Sequence, residues 1–131
     1  MAAWGSARDN MHRKDQAALF DALTEIQRIE KEIWGHTLDA AIMRYMAATR
    51  ITTDRASQVS SIADTLGHSP STIHAHLTRL SGNAGRASSN ADGAVERVDG
   101  GYGETALGMQ LNERMFERIS TVLAQYLRRF S

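Results

Sequence analysis

The segment Ser60–Leu80, SSIADTLGHSPSTIHAHLTRL, constrains the fold more than any other part of the chain. Its apolar residues form two sets, Ile62, Ala63 and Leu66 before Gly67, and Ile73, Leu77 and Leu80 after it. Both sets have helical spacing. Gly67 lacks a Cβ and suits the left-handed conformation that stops a helix. Ser69-Pro70 then offers an N-cap followed by proline at the first helical position, the favoured order for a new helix. Two short helices across a tight turn are therefore expected over 59–81. The small Ala63 lets them cross closely, which is the packing of a helix-turn-helix.

Long helices are predicted at both ends of the chain. From Ala17 to Trp34 the residues Leu19, Ala22, Ile26, Ile29 and Ile33 repeat at intervals of three and four, a coiled-coil-like seam. Asn112 to Phe130 carries a second seam in Met109, Phe116, Ile119, Leu123, Tyr126 and Phe130, widened by Met115, Val122 and Leu127. Both faces exceed what one small bundle needs, so helices 17–34 and 112–130 are expected to dimerise the chain, the alternative being that they pack on each other only within the monomer. Residues 1–16 lack periodicity and read as a flexible N-terminal arm. Between the seams, Gly35 ends the first helix and Thr37 caps a second running to about Thr49, with Leu38, Ala41, Ile42, Tyr45 and Met46 on one face. TRITTDRASQ reads as a loop with a short strand near Ile51.

After Leu80 the stretch 81–93 holds three Gly, three Ser and two Asn, the composition of a loop insert. AVERV then alternates like a strand, Asp99-Gly100 signals a turn, and Glu104 to Leu111 returns as a second strand, giving a β-hairpin over 94–111. At 131 residues the chain is long enough for one core, and 17–131 reads as a single domain of mostly α, α+β class. The absence of Cys excludes disulfides and thiolate zinc sites. No apolar run approaches the roughly 20 residues that span a bilayer, and residues 1–16 hold no signal-peptide core, so a soluble cytoplasmic protein without membrane contact is expected. Lys plus Arg and Asp plus Glu are equal at 15 each, so any case for an anionic partner must be local.

SSIADTLGHSPSTIHAHLTRL, followed after a gap by GAVERVDGGY, resembles the winged helix-turn-helix of bacterial transcription regulators. With its long flanking helices the chain looks most like the MarR family of dimeric regulators, and STIHAHLTRL is also similar to the ArsR family. The resemblance implies a homodimer that binds double-stranded DNA as a transcriptional regulator, with the second helix in the major groove and the hairpin as a wing. Two recognition helices would then meet successive major grooves about 34 Å apart, on a pseudo-palindromic operator. This chain departs from the pattern in the insert at 81–92 and in a wing carrying Asp92, Glu96, Asp99 and Glu104 against Arg97 alone.

Carried onto these positions, the resemblance assigns DNA contact to Ser69, Ser71, Thr72, His74, Ala75 and Thr78, with Arg79 on phosphate and Arg97 in the wing. The alternative to wing contact is that the insert at 81–92 reaches the DNA backbone, through Arg86. His74 can donate or accept at a base edge, and the hydroxyls of Ser71 and Thr72 suit bases or phosphate oxygens. No Asp or Glu occurs between Thr65 and Ala91, so acids are kept from this surface. His76, beside Leu77, reads as structural. In MarR-like dimers a small aromatic effector sits between the dimerisation and DNA-binding regions, and Trp34, His36, Met43, Tyr45 and Met46 are the candidate effector pocket, with plain core as the competing reading.

Other chemistries find less support in the residues. His74 and His76 lie about 200° apart on a helix, so they cannot face one metal ion, and no metal or cofactor is expected. No phosphate loop, HExxH, Gly-x-Ser-x-Gly elbow or Cys nucleophile occurs, which argues against an enzyme. The carboxylates Glu25, Glu30 and Glu32 read as a solvated helix face. The alternative to DNA binding is a winged-helix module that docks protein, since fold does not fix function and the wing is poorly basic.

Overall fold

The computed structural model describes residues 6–82 and 91–130, with side chains from 12 to 129. Five helices and a hairpin follow in the order α1 (Ser6–Trp34), α2 (Thr37–Thr53), α3 (Val59–Leu66), α4 (Pro70–Leu80), β1 (Val95–Val98), β2 (Gly101–Glu104) and α5 (Ala106–Leu127), with a terminal 3-10 turn at Arg128–Phe130. Among the described residues the protein is mostly helical, with one two-stranded antiparallel sheet.

The terminal helices lie antiparallel against each other. Asp15 pairs with Arg129 at 3.8 Å, Glu32 with Arg118 at 2.7 Å, and the buried Trp34 Nε1–H donates to Met115 Sδ at 3.3 Å. Their inner faces are Ala22, Ile29 and Ile33 on α1 and Leu111 and Met115 on α5. The seam at Met109, Phe116 and Leu123 does not enter this core and stays exposed, as do Phe20 and Leu23 on α1. Both helices thus carry apolar surface that the rest of the described residues leaves uncovered.

Helix α2 is the hub, because α1, α3, α4, α5 and β2 all pack on it. Three ion pairs fasten three different elements to it. Glu30 of α1 pairs with Arg44, Asp39 holds Arg79 of α4, and Arg50 meets the buried Glu104 of β2 at 2.6 Å. Asn112 of α5 completes the last group, donating from Nδ2 to Glu104 Oε2 at 2.7 Å and to the Met43 carbonyl at 3.0 Å. Buried carboxylates are tolerable only when paired in this way.

Five boundaries and placements differ from the sequence reading. Helix α1 already begins at Ser6, so residues 6–16 are helical, not an arm; SARDNMHRKDQ is rich in good helix formers but polar all round, which leaves periodicity silent. The N-cap of α2 is His36, whose Nδ1 accepts from Leu38 N–H at 3.1 Å, in place of Thr37. The helix runs on to Thr53, with the Thr52 and Thr53 hydroxyls donating back to the carbonyls of Ala48 and Thr49, so the stretch near Ile51 is helix and not strand. Glu30 is buried against Arg44, away from the solvated face. The return strand ends at Glu104, and residues 106–111 open α5, because Thr105 caps that helix by accepting from Gly108 N–H at 3.2 Å.

Candidate nucleic-acid interface

The two helices around Gly67 sit where their sequence spacing puts them. Gly67 takes φ 73°, ψ 34° and its cap closes back on the Ala63 carbonyl. The Ser69 hydroxyl caps α4 by accepting from Thr72 N–H at 3.2 Å, and it also lies 2.9 Å from the Thr72 hydroxyl. Ile62 and Ala63 from α3 and Ile73, Leu77 and Leu80 from α4 enter the common core. Helical geometry therefore turns the remaining face of α4 outward. Ser69, Ser71, His74 and Ala75 are exposed along it, beside the half-buried Thr72 and Thr78. Thr78 donates to the His74 carbonyl at 2.9 Å, so its proton is already used.

Arg79 is half-buried and already has an internal partner. Its guanidinium pairs with Asp39, a buried acid on the first turn of α2. The same carboxylate accepts from His76 Nδ1–H at 2.7 Å, and the His36 ring stands edge-on to His76 with centroids 5.1 Å apart. His76 is thus a structural tie, as its place beside Leu77 suggested. The signal missed was Asp39, which reads as an ordinary first-turn acid until the fold brings α4 beside it.

The hairpin follows α4 directly despite the insert. The N–H groups of Gly93 and Ala94 both donate to the Leu80 carbonyl at 2.8 Å, so the two ends of the insert meet at the end of α4. Arg86 lies outside the described residues. Val95 pairs with Glu104 and Val98 with Gly101, across Asp99-Gly100. Ser57, just before α3, exchanges two backbone hydrogen bonds of 2.8 Å with Tyr102 and so extends the sheet by one residue. Gly101 permits this approach, since a Cβ there would stand 2.2 Å from the Ser57 carbonyl oxygen. Arg97 is exposed and lies over the Tyr102 ring, 5.9 Å from its centroid. Glu104 faces inward against Arg50, which removes it from the acids of the hairpin surface.

The five residues named for an effector pocket do not line one together. Trp34, Met43 and Met46 are core, Tyr45 packs half-buried against them, and the exposed His36 is the α2 cap. An open apolar groove of about 270 Å³ runs instead between α2 and α5, lined by Ala47, Ala48, Ile51, Met115 and Phe116. Elsewhere the electrostatics are those of helix surfaces. The hydrogen bond from Arg28 holds the Glu25 carboxyl below its ordinary value, and burial lowers the Arg44 guanidinium. Among the described residues no group of three His, Asp or Glu is placed to hold a metal ion, and no helix is long and apolar enough to cross a membrane. Comparisons with protein-family models, with curated proteins and with solved structures give no match to this chain.

Proposed function

We propose that the chain is a sequence-specific reader of duplex DNA, a homodimeric transcriptional regulator of winged helix-turn-helix architecture with α4 as its recognition helix. The observation that carries this reading is the outer face of α4. Ser71, His74 and Ala75 stand exposed at its N-terminal half, on a helix whose opposite face is locked into the core by Ile73, Leu77 and Leu80. A recognition helix needs this combination of a rigid rear face and small hydrogen-bonding groups at its leading end. The hairpin after α4, with Ser57 as a one-residue third strand, has the chain order of a wing.

The dimer rests on the surface left over by α1 and α5. Phe20 and Phe116 are 63% and 65% exposed, and Leu23, Leu123 and Leu127 are exposed on the same two helices. Exposed side chains of this size on two paired helices fit a second copy packed about a two-fold axis.

Selection of random duplex DNA by the purified protein near physiological salt tests the proposal. An enriched inverted repeat with half-sites about one helical turn apart, roughly 34 Å, is the expected result. No enrichment at any salt from folded protein rejects it. One observation favours a second reading, a winged-helix module that docks protein: Arg79, the sole Arg or Lys of α4, is tied to Asp39, so that helix brings little charge to phosphate. Binding that is insensitive to salt, to a protein and not to DNA, would mark that reading.

A further inference from the structure

We infer that Asp39 is a positioning residue that clamps α4 through Arg79 and His76 and withholds Arg79 from phosphate, so that α4 reads DNA through a neutral face. The inference rests on the DNA-reading proposal above. Asp39 stands on the first turn of α2 with its side chain 3% exposed, and both of its oxygens are taken by α4. Oδ1 accepts from His76 Nδ1–H at 2.7 Å and Oδ2 from Arg79 Nη2–H. His76 and Arg79 are three residues apart, hence on one side of the helix, flanking the buried Leu77 and Leu80. His36 closes the outer side with its ring against His76.

Two consequences follow from this geometry. A carboxylate so deeply buried does not give up its cation readily, because it would then be left charged and unpaired. The clamp therefore reinforces the rotation that Ile73, Leu77 and Leu80 give α4, and holds the direction in which Ser71, His74 and Ala75 point. The Arg79 charge, on a side chain 35% exposed, is also compensated by the buried Asp39 carboxylate. Salt dependence of DNA binding counts phosphates neutralised by free cations, each contributing about 0.9 to the slope of log K against log salt. An arginine already compensated by Asp39 adds almost nothing to that count. Affinity for arbitrary sequence is thereby kept low, and discrimination is left to hydrogen bonds at base edges.

The test combines the free protein with binding of a random-sequence duplex. In the free wild type, NMR should show slowly exchanging Arg79 guanidinium protons that join the fast-exchanging arginines in Asp39→Asn. Wild-type Arg79 protons that exchange as fast as those of exposed arginines overturn the inference. On DNA, Arg79→Ala should leave the salt slope of the wild type unchanged. A fall of about 0.9 means that Arg79 already neutralises a phosphate, and overturns it. In the Asp39→Asn background the slope should rise by about 0.9 and lose that rise on Arg79→Ala, while preference for the selected sequence over random DNA falls. Asp64→Asn, an equal charge change at an exposed position of α3, is the control and should show no such dependence on Arg79. If Asp39→Asn does not fold, Arg79→Ala alone decides. A wild type that binds no duplex rejects the DNA reading, while the guanidinium exchange still decides the clamp.

Discussion

Replacing Gly108 by alanine sets helix propensity against packing, and the structure says which wins. Gly108 is buried in the first turn of α5. Propensity alone favours alanine by about 1 kcal/mol inside a helix, and less near an end. The added Cβ, however, would lie 2.1 Å from the Ala94 carbonyl oxygen and 3.3 Å from the Met43 terminal methyl. That carbonyl cannot simply turn away, because it accepts from Thr105 N–H at 3.0 Å at the mouth of the same helix. Forcing α5 away from Ala94 costs about 1–3 kcal/mol as overpacking. Weakening the Thr105 bond adds about 1 kcal/mol. Net of the propensity gain, Gly108→Ala should destabilise by about 1–3 kcal/mol. For a chain of 131 residues at about 4 °C per kcal/mol, Tm falls by about 4–12 °C at fixed protein concentration. Gly103→Ala is the comparison, since its Cβ would touch only Val98 methyl groups at 3.7 and 3.8 Å. It should be neutral or gain up to about 1 kcal/mol. Calorimetry of both variants decides: a Gly108→Ala protein as stable as wild type would refute the steric argument.

Three other expectations are open to direct measurement. Phe116→Asp and Phe20→Asp should each turn a dimer into a folded monomer in sedimentation, and a wild type already monomeric at micromolar concentration would remove the dimer from the proposed function. Ser69→Ala deletes the α4 cap and should cost about 1 kcal/mol by denaturant unfolding; an unchanged midpoint would show that the Ser71 and Thr72 hydroxyls replace it. His74→Ala should cost about 1–3 kcal/mol at the selected sequence and relax preference at one position of each half-site, whereas a uniform loss across sequences would make His74 a backbone contact.

The turn at Gly67 was legible because its signals are local: a residue that accepts positive φ, a capping serine, a proline at the next position and apolar residues in step. The hairpin turn at Asp99-Gly100 was legible for the same reason. Helix ends without such signals were missed. Ser6–Gln16 is helical with no apolar stripe to announce it, and Thr52 and Thr53 prolong α2 by hydrogen bonds to their own preceding turn. Periodicity at the termini was real but did not say which residues the chain itself would bury. In α5 the core took Leu111, Asn112 and Met115 and left Met109, Phe116 and Leu123 outside.

The ion pairs on α2 lay beyond any sequence reading. Their members are far apart in the chain, Asp39 from Arg79, Arg50 from Glu104, Glu30 from Arg44. An acid or base on a helix reads as solvated unless another element covers it, and only the packed arrangement of helices supplies that cover. Thus Glu30 and Glu104 changed role on folding, from surface charges to internal ties, and the half-buried Arg79 gained an internal partner. Local rules of capping, turn chemistry and apolar spacing were sufficient for the sequence alone to determine where α3, α4 and the hairpin turn lie and which face of α4 looks outward. Tertiary structure alone decided which charges remain free to meet a partner, because pairing and burial depend on neighbours that the chain brings together only when it folds.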